Sequence, residues 1–318
     1  MKMVFLDANT IGNDIDLSGF SQFGELIRYE SSTLEEAAER TKEADILIVN
    51  KVLINEQTIG NAKNLKLICL TATGINNLDL DYLNKRKIPW KNVAGYSTES
   101  VAQHTFAMLF YLLEHLPYYD EYVKSEKYLH ADCFTHLDKR FTQLDHMIWG
   151  IIGLGAIGRR VADLAKAFGC QVLYYSTTGK NNQPDYERVD LDTLLQKSDI
   201  VSIHAPLNTE TEHLMNRSTF DKMKSSAILL NLGRGPIVVE EDLAAAIKEG
   251  KIAAAGLDVL SNEPMSPSSP LRELKDSDKL LITPHIGWGS IEARNRLIEM
   301  VQQNIREFCE NTMISDQN

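Results

Sequence analysis

An α/β fold in two domains is what the 318-residue sequence predicts, on three observations. The chain exceeds the roughly 100 to 200 residues of one typical domain. Short apolar runs alternate with amphipathic segments along most of its length, as parallel strands and crossover helices do. One of those runs leads straight into a glycine turn and a helix, in HMIWGIIGLGAIGRRVADLAKAFG.

In chain order, the first strand candidates are Met3 to Leu6, Asp45 to Val49 and Leu65 to Leu70, while Leu34 to Glu43 has helical spacing and composition. These make a small α/β unit. From Ser97, STESVAQHTFAMLFYLLEHL reads as a long buried helix with Ser97 or Thr98 as N-cap and Pro117 beyond its end, suited to connect domains. Residues 118 to 145, rich in Tyr, His, Lys and Asp without a period, read as a surface loop or an arm. Further strands are expected at Met147 to Ile152, Gln171 to Tyr175, Asp199 to His204, Ala227 to Asn231, Ala253 to Val259 and Lys279 to Ile282. With the helices between them they make a complete Rossmann dinucleotide-binding domain on a parallel sheet, whose ligand lies at the carboxyl ends of the strands. Ser290 to Glu310 is one long amphipathic helix.

Bulk properties narrow the partners. A net charge of -11 argues against nucleic acid and anionic membranes, either of which calls for clustered Lys and Arg. Cys69, Cys133, Cys170 and Cys309 are scattered, so they read as free thiols of a reducing compartment, and the cytoplasm is the expected location. The short apolar start of MKMVFLDAN ends at Asp7, too early for a signal peptide, and no run reaches the ~20 apolar residues of a membrane helix. The Cys and His spacings suggest no metal cluster.

In the glycine loop, Gly153 permits the tight turn, Gly155 lets a pyrophosphate approach the backbone, and Gly158 lets helix and strand pack closely. The helix start offers free N–H groups, so Gly153, Gly155, Ala156, Ile157 and Gly158 are cofactor-binding candidates. At the end of the second strand, in QVLYYSTTGK, Ser176 stands where an acid commonly binds the adenosine ribose. Without that charge a 2′-phosphate is not repelled, and Thr177, Thr178 and Lys180 can hydrogen-bond or pair with it. The coenzyme is therefore NAD or NADP, with NADP(H) expected to be accepted at least as well as by an enzyme carrying the acid.

Three later segments each place a polar group just after a strand: NLGRGPIV with Arg234, GLDVLSNEP with Asp258 and Glu263, and LITPHIGWGS with His285. Singly they read as a surface charge, turn residues and a loop histidine. Together they supply what hydride transfer to a 2-keto acid requires. The planar fork of arginine suits a carboxylate and its neighbouring carbonyl, histidine can protonate the developing alkoxide, and a carboxylate on its other nitrogen sets the tautomer.

At these residues the sequence resembles the D-isomer-specific 2-hydroxyacid dehydrogenases, from about Leu65 through Arg296. The resemblance implies catalytic roles for Arg234, Glu263 and His285 and places Asp258 and Gly287 beside the nicotinamide. Through IHAPLNTETEHLMN and NLGRGPIVVEEDL it also implies that His204, Ala205, Pro206, Thr211, Leu232 and Gly233 line the cofactor. It further implies a flavodoxin-like substrate domain of residues 1–97 plus 288–318, an NAD(P)-binding domain of 98–287, and a homodimer in which 118 to 145 is an intersubunit arm. TATGINNLD, AGYSTESVAQHT and HIGWGSIEAR are most similar to the family's glycerate dehydrogenases, or hydroxypyruvate reductases. That likeness makes Thr73 and Gly74 the donors to the substrate carboxylate, with Tyr96 shaping the pocket. Phosphoglycerate dehydrogenases, with an arginine where Leu70 stands, are a less similar alternative. A non-enzymatic dinucleotide sensor on this fold is another, though a sensor needs no proton donor. Asn76 replaces a usual Asp in the substrate loop, and Ser176 the ribose acid.

Overall fold

The computed structural model describes residues 1–315, and the chain divides into two compact units, Met1–Ser97 with the segment from Gly289 onward, and Thr98–Trp288. The first contains β1 (Lys2–Phe5), β2 (Glu25–Arg28), α1 (Leu34–Arg40), β3 (Ile46–Val49), α2 (Glu56–Ile59), β4 (Leu67–Leu70), α3 (Leu80–Arg86) and β5 (Trp90–Lys91). All its strands are parallel, in the order β2-β1-β3-β4-β5, which is the flavodoxin-like order. Every residue of β3 and β4 is buried, because a central strand of a parallel sheet has both faces covered. On one face Val4, Leu47, Val49, Ile68 and Leu70 pack with Ala37, Ile59 and Leu83 of the helices. A capping box of Thr33 and Glu36 starts α1, satisfying helix-end N–H groups that would otherwise lack acceptors.

The second unit begins with α4 (Thr98–Leu113) and α5 (Leu116–Lys124) and then lays down β6 (Ile148–Ile152), α6 (Ala156–Ala167), β7 (Gln171–Tyr175), β8 (Glu187–Arg188), α7 (Leu191–Lys197) and β9 (Ile200–Ile203). It continues through α8 (Arg217–Phe220), β10 (Ile228–Asn231), α9 (Glu240–Lys248), β11 (Ala254–Leu257) and β12 (Leu280–Ile282). The parallel strands run β12-β11-β10-β9-β6-β7-β8. Strand order reverses between β6 and β9, the switch point at which such sheets open a crevice beyond their carboxyl ends. One face is covered by α4 and α6 through Phe106, Leu109, Val161 and Ala165, the other by Leu194, Phe220, Leu243 and Ile247. Trp149 is fully buried between them; its indole N–H donates to Ser202 Oγ at 2.9 Å, as a buried indole must.

The chain then returns to the first unit in α10 (Ile291–Ser315). Ala293, Leu297, Ile298, Val301 and Ile305 form its buried stripe, the spacing of one helix face, and the helix packs on β4. Arg294 forks onto Asp14 at 2.5 and 2.9 Å and onto the Ile11 carbonyl, while Arg296 donates to the Tyr96 carbonyl.

Several elements differ from their sequence-based expectation. The first helix stops at Arg40, not Glu43. Residues 118 to 145 are not simply a loop: α5 occupies the start, with Pro117 in its first turn, and a 3-10 turn follows at Lys127–His130. Tyr122 stacks on His136 at 3.7 Å, and the Tyr118 hydroxyl bonds the same ring. Strands β2, β5 and β8 had no forecast. No helix is long and apolar enough to cross a membrane, and no group of three or more acidic, His or Cys side chains could hold a metal, both among the described residues.

Candidate active site

The chemistry-bearing residues of the second unit sit at the carboxyl ends of its strands. After β6, Gly153 takes φ +92°, and a Cβ on it would press on the Ala205 backbone at 2.8 Å. A Cβ on Gly158 would collide with the Gly153 carbonyl, whereas one on Gly155 would meet nothing within 4 Å. Two glycines are thus demanded by the fold, and the third leaves a space facing the start of α6. The first intrahelical bond runs from Arg159 N–H to Gly155 O, so the N–H groups of Ala156 and Ile157 have no intrahelical acceptor. An open backbone at the start of a twelve-residue helix fits a pyrophosphate.

Beyond β7, Ser176 is buried and its Oγ accepts the Asn181 N–H at 3.3 Å, while Gly179 N–H closes a turn onto Ser176 O. Asn181 Nδ2 reaches back to Leu154 O at 2.6 Å, fixing this turn against the glycine loop. Thr177 and Lys180 lie in the turn, and a Cβ on Gly179 would stand 3.6 Å from an Arg188 guanidinium nitrogen. After β9, His204 Nε2 bonds Ser202 Oγ at 3.1 Å, while its Nδ1 is shut off from solvent without a partner. Burial pushes this imidazole down to about 3, so it is neutral at any working pH. Thr211 Oγ1 donates to Pro206 O at 2.7 Å and holds the following loop.

At the end of β10 the fully buried Asn231 accepts from Gly233 N–H at 3.1 Å and donates to Arg234 O at 3.0 Å, which curls Leu232, Gly233 and Arg234 into a tight bend. Arg234 also donates to the Gly233 carbonyl at 2.8 Å. Flanking β11 on its other side, the turn after β12 carries His285, whose Nδ1 lies 2.7 Å from Glu263 Oε2. Glu263 Oε1 in turn accepts the Leu260 N–H at 3.1 Å. A carboxylate on Nδ1 sets the proton there and leaves Nε2 for other chemistry.

The turn bearing His285 is itself assembled around Asp258. One carboxylate oxygen accepts Thr283 Oγ1 at 2.6 Å and Ile286 N–H at 2.9 Å, the other Gly287 N–H at 2.8 Å. Burial raises the Asp258 carboxyl, but the hydrogen bonds from His104, Thr283, Gly287 and Ile286 outweigh it and hold the group below its ordinary range. From α4, His104 Nε2 bonds Thr283 Oγ1 at 3.0 Å and Ser100 Oγ donates to Gly287 O at 2.6 Å. The sequence does not single out His104, Thr283, Asn181 or Asn231. The available traces were a histidine inside an apolar helix and an asparagine ending an otherwise apolar strand. In the first unit, Thr73 and Gly74 lie in the loop after β4, with Thr73 Oγ1 donating to Val93 O at 2.8 Å, and Tyr96 is buried.

The NAD-binding domain of the D-isomer-specific 2-hydroxyacid dehydrogenases matches residues 106–287. The chain belongs to this family. A hydroxypyruvate reductase of Blautia hydrogenotrophica is 36% identical to this dehydrogenase over 322 residues, 99% of each chain. Among solved structures, D-lactate dehydrogenase from Aquifex aeolicus, complexed with NAD and lactic acid, superposes with a TM-score of 0.85 at 28% identity, covering 98% of this chain and 96% of that one. An acyclic imino acid reductase in complex with NADPH and D-Arg gives 0.86 at 27%, covering 98% of both. As a member of this family the protein is an oxidoreductase acting on the CH–OH group, with a nicotinamide dinucleotide as its cofactor.

Proposed function

We propose that this dehydrogenase reduces hydroxypyruvate, or a closely related small 2-keto acid such as glyoxylate, to the D-2-hydroxy acid. The observation that carries the reading is the 2.7 Å pair of Glu263 and His285 at the ligand-facing edge of a dinucleotide sheet. Arg234 holds the substrate carboxylate and polarises the adjoining carbonyl, a task its planar fork suits. His285 gives a proton from Nε2 to the carbonyl oxygen, and Glu263 keeps the ring oriented. The bound nicotinamide supplies the hydride. In the first unit, Thr73 and Gly74 are proposed to bind the substrate carboxylate through backbone N–H groups, with Tyr96 shaping the pocket.

Acceptance of NADP(H) beside NAD(H) is supported by Ser176 at the end of β7, by Thr177 and Lys180 in its turn, and by the Arg188 guanidinium beside Gly179. A 2′-phosphate finds cations there and no carboxylate at Ser176. A homodimer is proposed on the resemblance. It is supported by the exposure of Leu129, Phe134, Leu137 and Phe141 in a short stretch after α5, more apolar surface than a loop facing water needs. Four free cysteines support a cytoplasmic setting. A panel of hydroxypyruvate, glyoxylate, pyruvate and 3-phosphohydroxypyruvate against both coenzymes tests the reading. The highest kcat/KM is expected with hydroxypyruvate or glyoxylate, and coenzyme binding without turnover on any of the four overturns it.

A further inference from the structure

One carboxylate in the second unit has no part in the reading above and yet grips the segment that delivers Glu263. Glu240, the first residue of α9, is half-buried. Its Oε1 accepts the Ser261 N–H at 2.8 Å and its Oε2 accepts Ser269 Oγ–H at 2.9 Å. These two partners stand at opposite ends of the stretch between β11 and the 3-10 turn Pro270–Leu274, so a single side chain closes that stretch at both ends. Glu263 lies inside it.

The grip extends to the backbone. Leu260 donates its N–H to Glu263 and Ser261 donates the next N–H to Glu240, so two carboxylates divide consecutive amides of one strand end. Against the same peptide lies Gly235, where a Cβ would collide with the Leu260 carbonyl. Gly235 follows Arg234 and Glu240 comes five residues later. The segment bearing the arginine and the segment bearing the glutamate are therefore registered on each other through the Leu260–Ser261 peptide. A carboxylate at a helix start also favours the helix dipole. Glu241 and Asp242 serve that need as well, and it explains neither of the two bonds that Glu240 makes to the other segment.

We propose that Glu240 is a positioning residue for proton transfer, setting the placement of Glu263 against His285. Glu263 is the charged group in contact with His285. Asp258 reaches His285 through its backbone carbonyl, and its carboxylate is spent on His104, Thr283 and two backbone N–H groups. Losing Glu240 leaves two donors without their charged acceptor and lets Glu263 drift, and a displacement of about 1 Å can cost on the order of 10²-fold in rate.

The test rests on the proposed role of His285, so His285→Ala is assayed in parallel; if it keeps wild-type kcat, that role fails, whatever Glu240 does. Glu240→Ala, Glu240→Gln and Glu263→Gln are compared in the full chain for the pH profile of keto-acid reduction and for dinucleotide Kd by fluorescence titration. Glu240→Ala is expected to lower kcat by about tenfold or more, to move the alkaline limb to lower pH as Glu263→Gln does, and to leave Kd within about twofold. In the Glu263→Gln background it is expected to add less than about twofold, because the two act through one step. Glu240→Gln, which keeps an oxygen for Ser261 N–H, is expected to restore much of the rate. A full, additive loss in the Glu263→Gln background, or an unmoved alkaline limb, overturns the proposal. If Glu240→Ala fails to fold, the partial loss in Glu240→Gln must vanish in the same background, or the proposal falls.

Discussion

His285 adopts φ +56°, a left-handed backbone conformation that costs a non-glycine residue about 1 to 2 kcal/mol. The cost is offset by its N–H, which donates to Asp258 O at 2.8 Å, and by the Asp258 carboxylate, which holds the next two N–H groups. The side chain therefore meets Glu263 from a turn with little freedom to swing. Replacing the imidazole while keeping that turn should leave the fold intact and remove the proposed proton donor. His285→Ala is expected to lower kcat by roughly 10²- to 10⁴-fold, with an unchanged melting temperature; wild-type kcat in steady-state assays would remove His285 from the mechanism. Arg234 sits in a bend shaped by Asn231, and its role depends on geometry as well as charge. Arg234→Lys keeps the charge and loses the fork, so kcat/KM should fall by tenfold or more, on the order of a lost charge-assisted hydrogen bond. Unaltered kinetics would count against that role.

Among the elements, the turn from β6 into α6 separates two kinds of glycine. Gly158 is required by contact with the Gly153 carbonyl, whereas Gly155 borders open space. Gly155→Val is therefore expected to fold with nearly wild-type thermal stability and to bind dinucleotide at least tenfold more weakly, since the branched side chain occupies the approach to the helix start. Gly158→Val is expected to lose stability first. Calorimetry and fluorescence titration on both variants check the contrast, and it fails if Gly155→Val binds like wild type.

The same contrast explains what could be read in advance. Central strands such as β3, β4, β9 and β10 are buried throughout and show in the sequence as apolar runs, interrupted in β9 by Ser202 and ended in β10 by Asn231. β2 is partly exposed and the two residues of β8 are both exposed, because an edge strand has one neighbour and no need of a two-sided apolar pattern. α5 has no buried residue, so nothing in its pattern marked it as a helix. Arg234, Glu263 and His285 stand out as candidates because each comes after a strand that the sequence predicts. Their supports do not, since Asn231 and His104 matter through bonds to backbone or to residues almost 180 positions away. Spacing cannot display such partners.

At the scale of the whole molecule, buried ionisable groups tie stability to pH. Burial depresses the His204 imidazole to about 3, against 6.5 for the free side chain, so the unfolded chain binds this proton more readily than the folded one. Its contribution is complete above pH 6.5 and is lost progressively as pH falls from there toward 3, at up to about 1.4 kcal/mol per pH unit. Asp258, held low, withdraws its share only at still more acidic pH, as protonation takes away the acceptor of its four donors. Between pH 7 and 5.5 the wild type should lose about 1 kcal/mol more unfolding free energy than His204→Gln. Urea titrations at both pH values measure this, and an equal loss in the two proteins would contradict it.

The first unit is built from two stretches of chain, with α10 supplied only after all of Thr98–Trp288. During synthesis the nucleotide-binding unit is therefore complete while the earlier-made sheet still lacks a helix. A flexible insertion of that length would add about 3 kcal/mol to the entropy of bringing α10 home, compared with a five-residue connection. Folding of the inserted unit removes most of this cost, because Ser100 Oγ then lies 2.6 Å from Gly287 O and the points where the chain enters and leaves are held together. Arg294 is thereby delivered to Asp14 across 280 positions of sequence as if across a short loop. The order of maturation this implies is vectorial: the Thr98–Trp288 unit folds first, and the two stretches of the first unit come together after it.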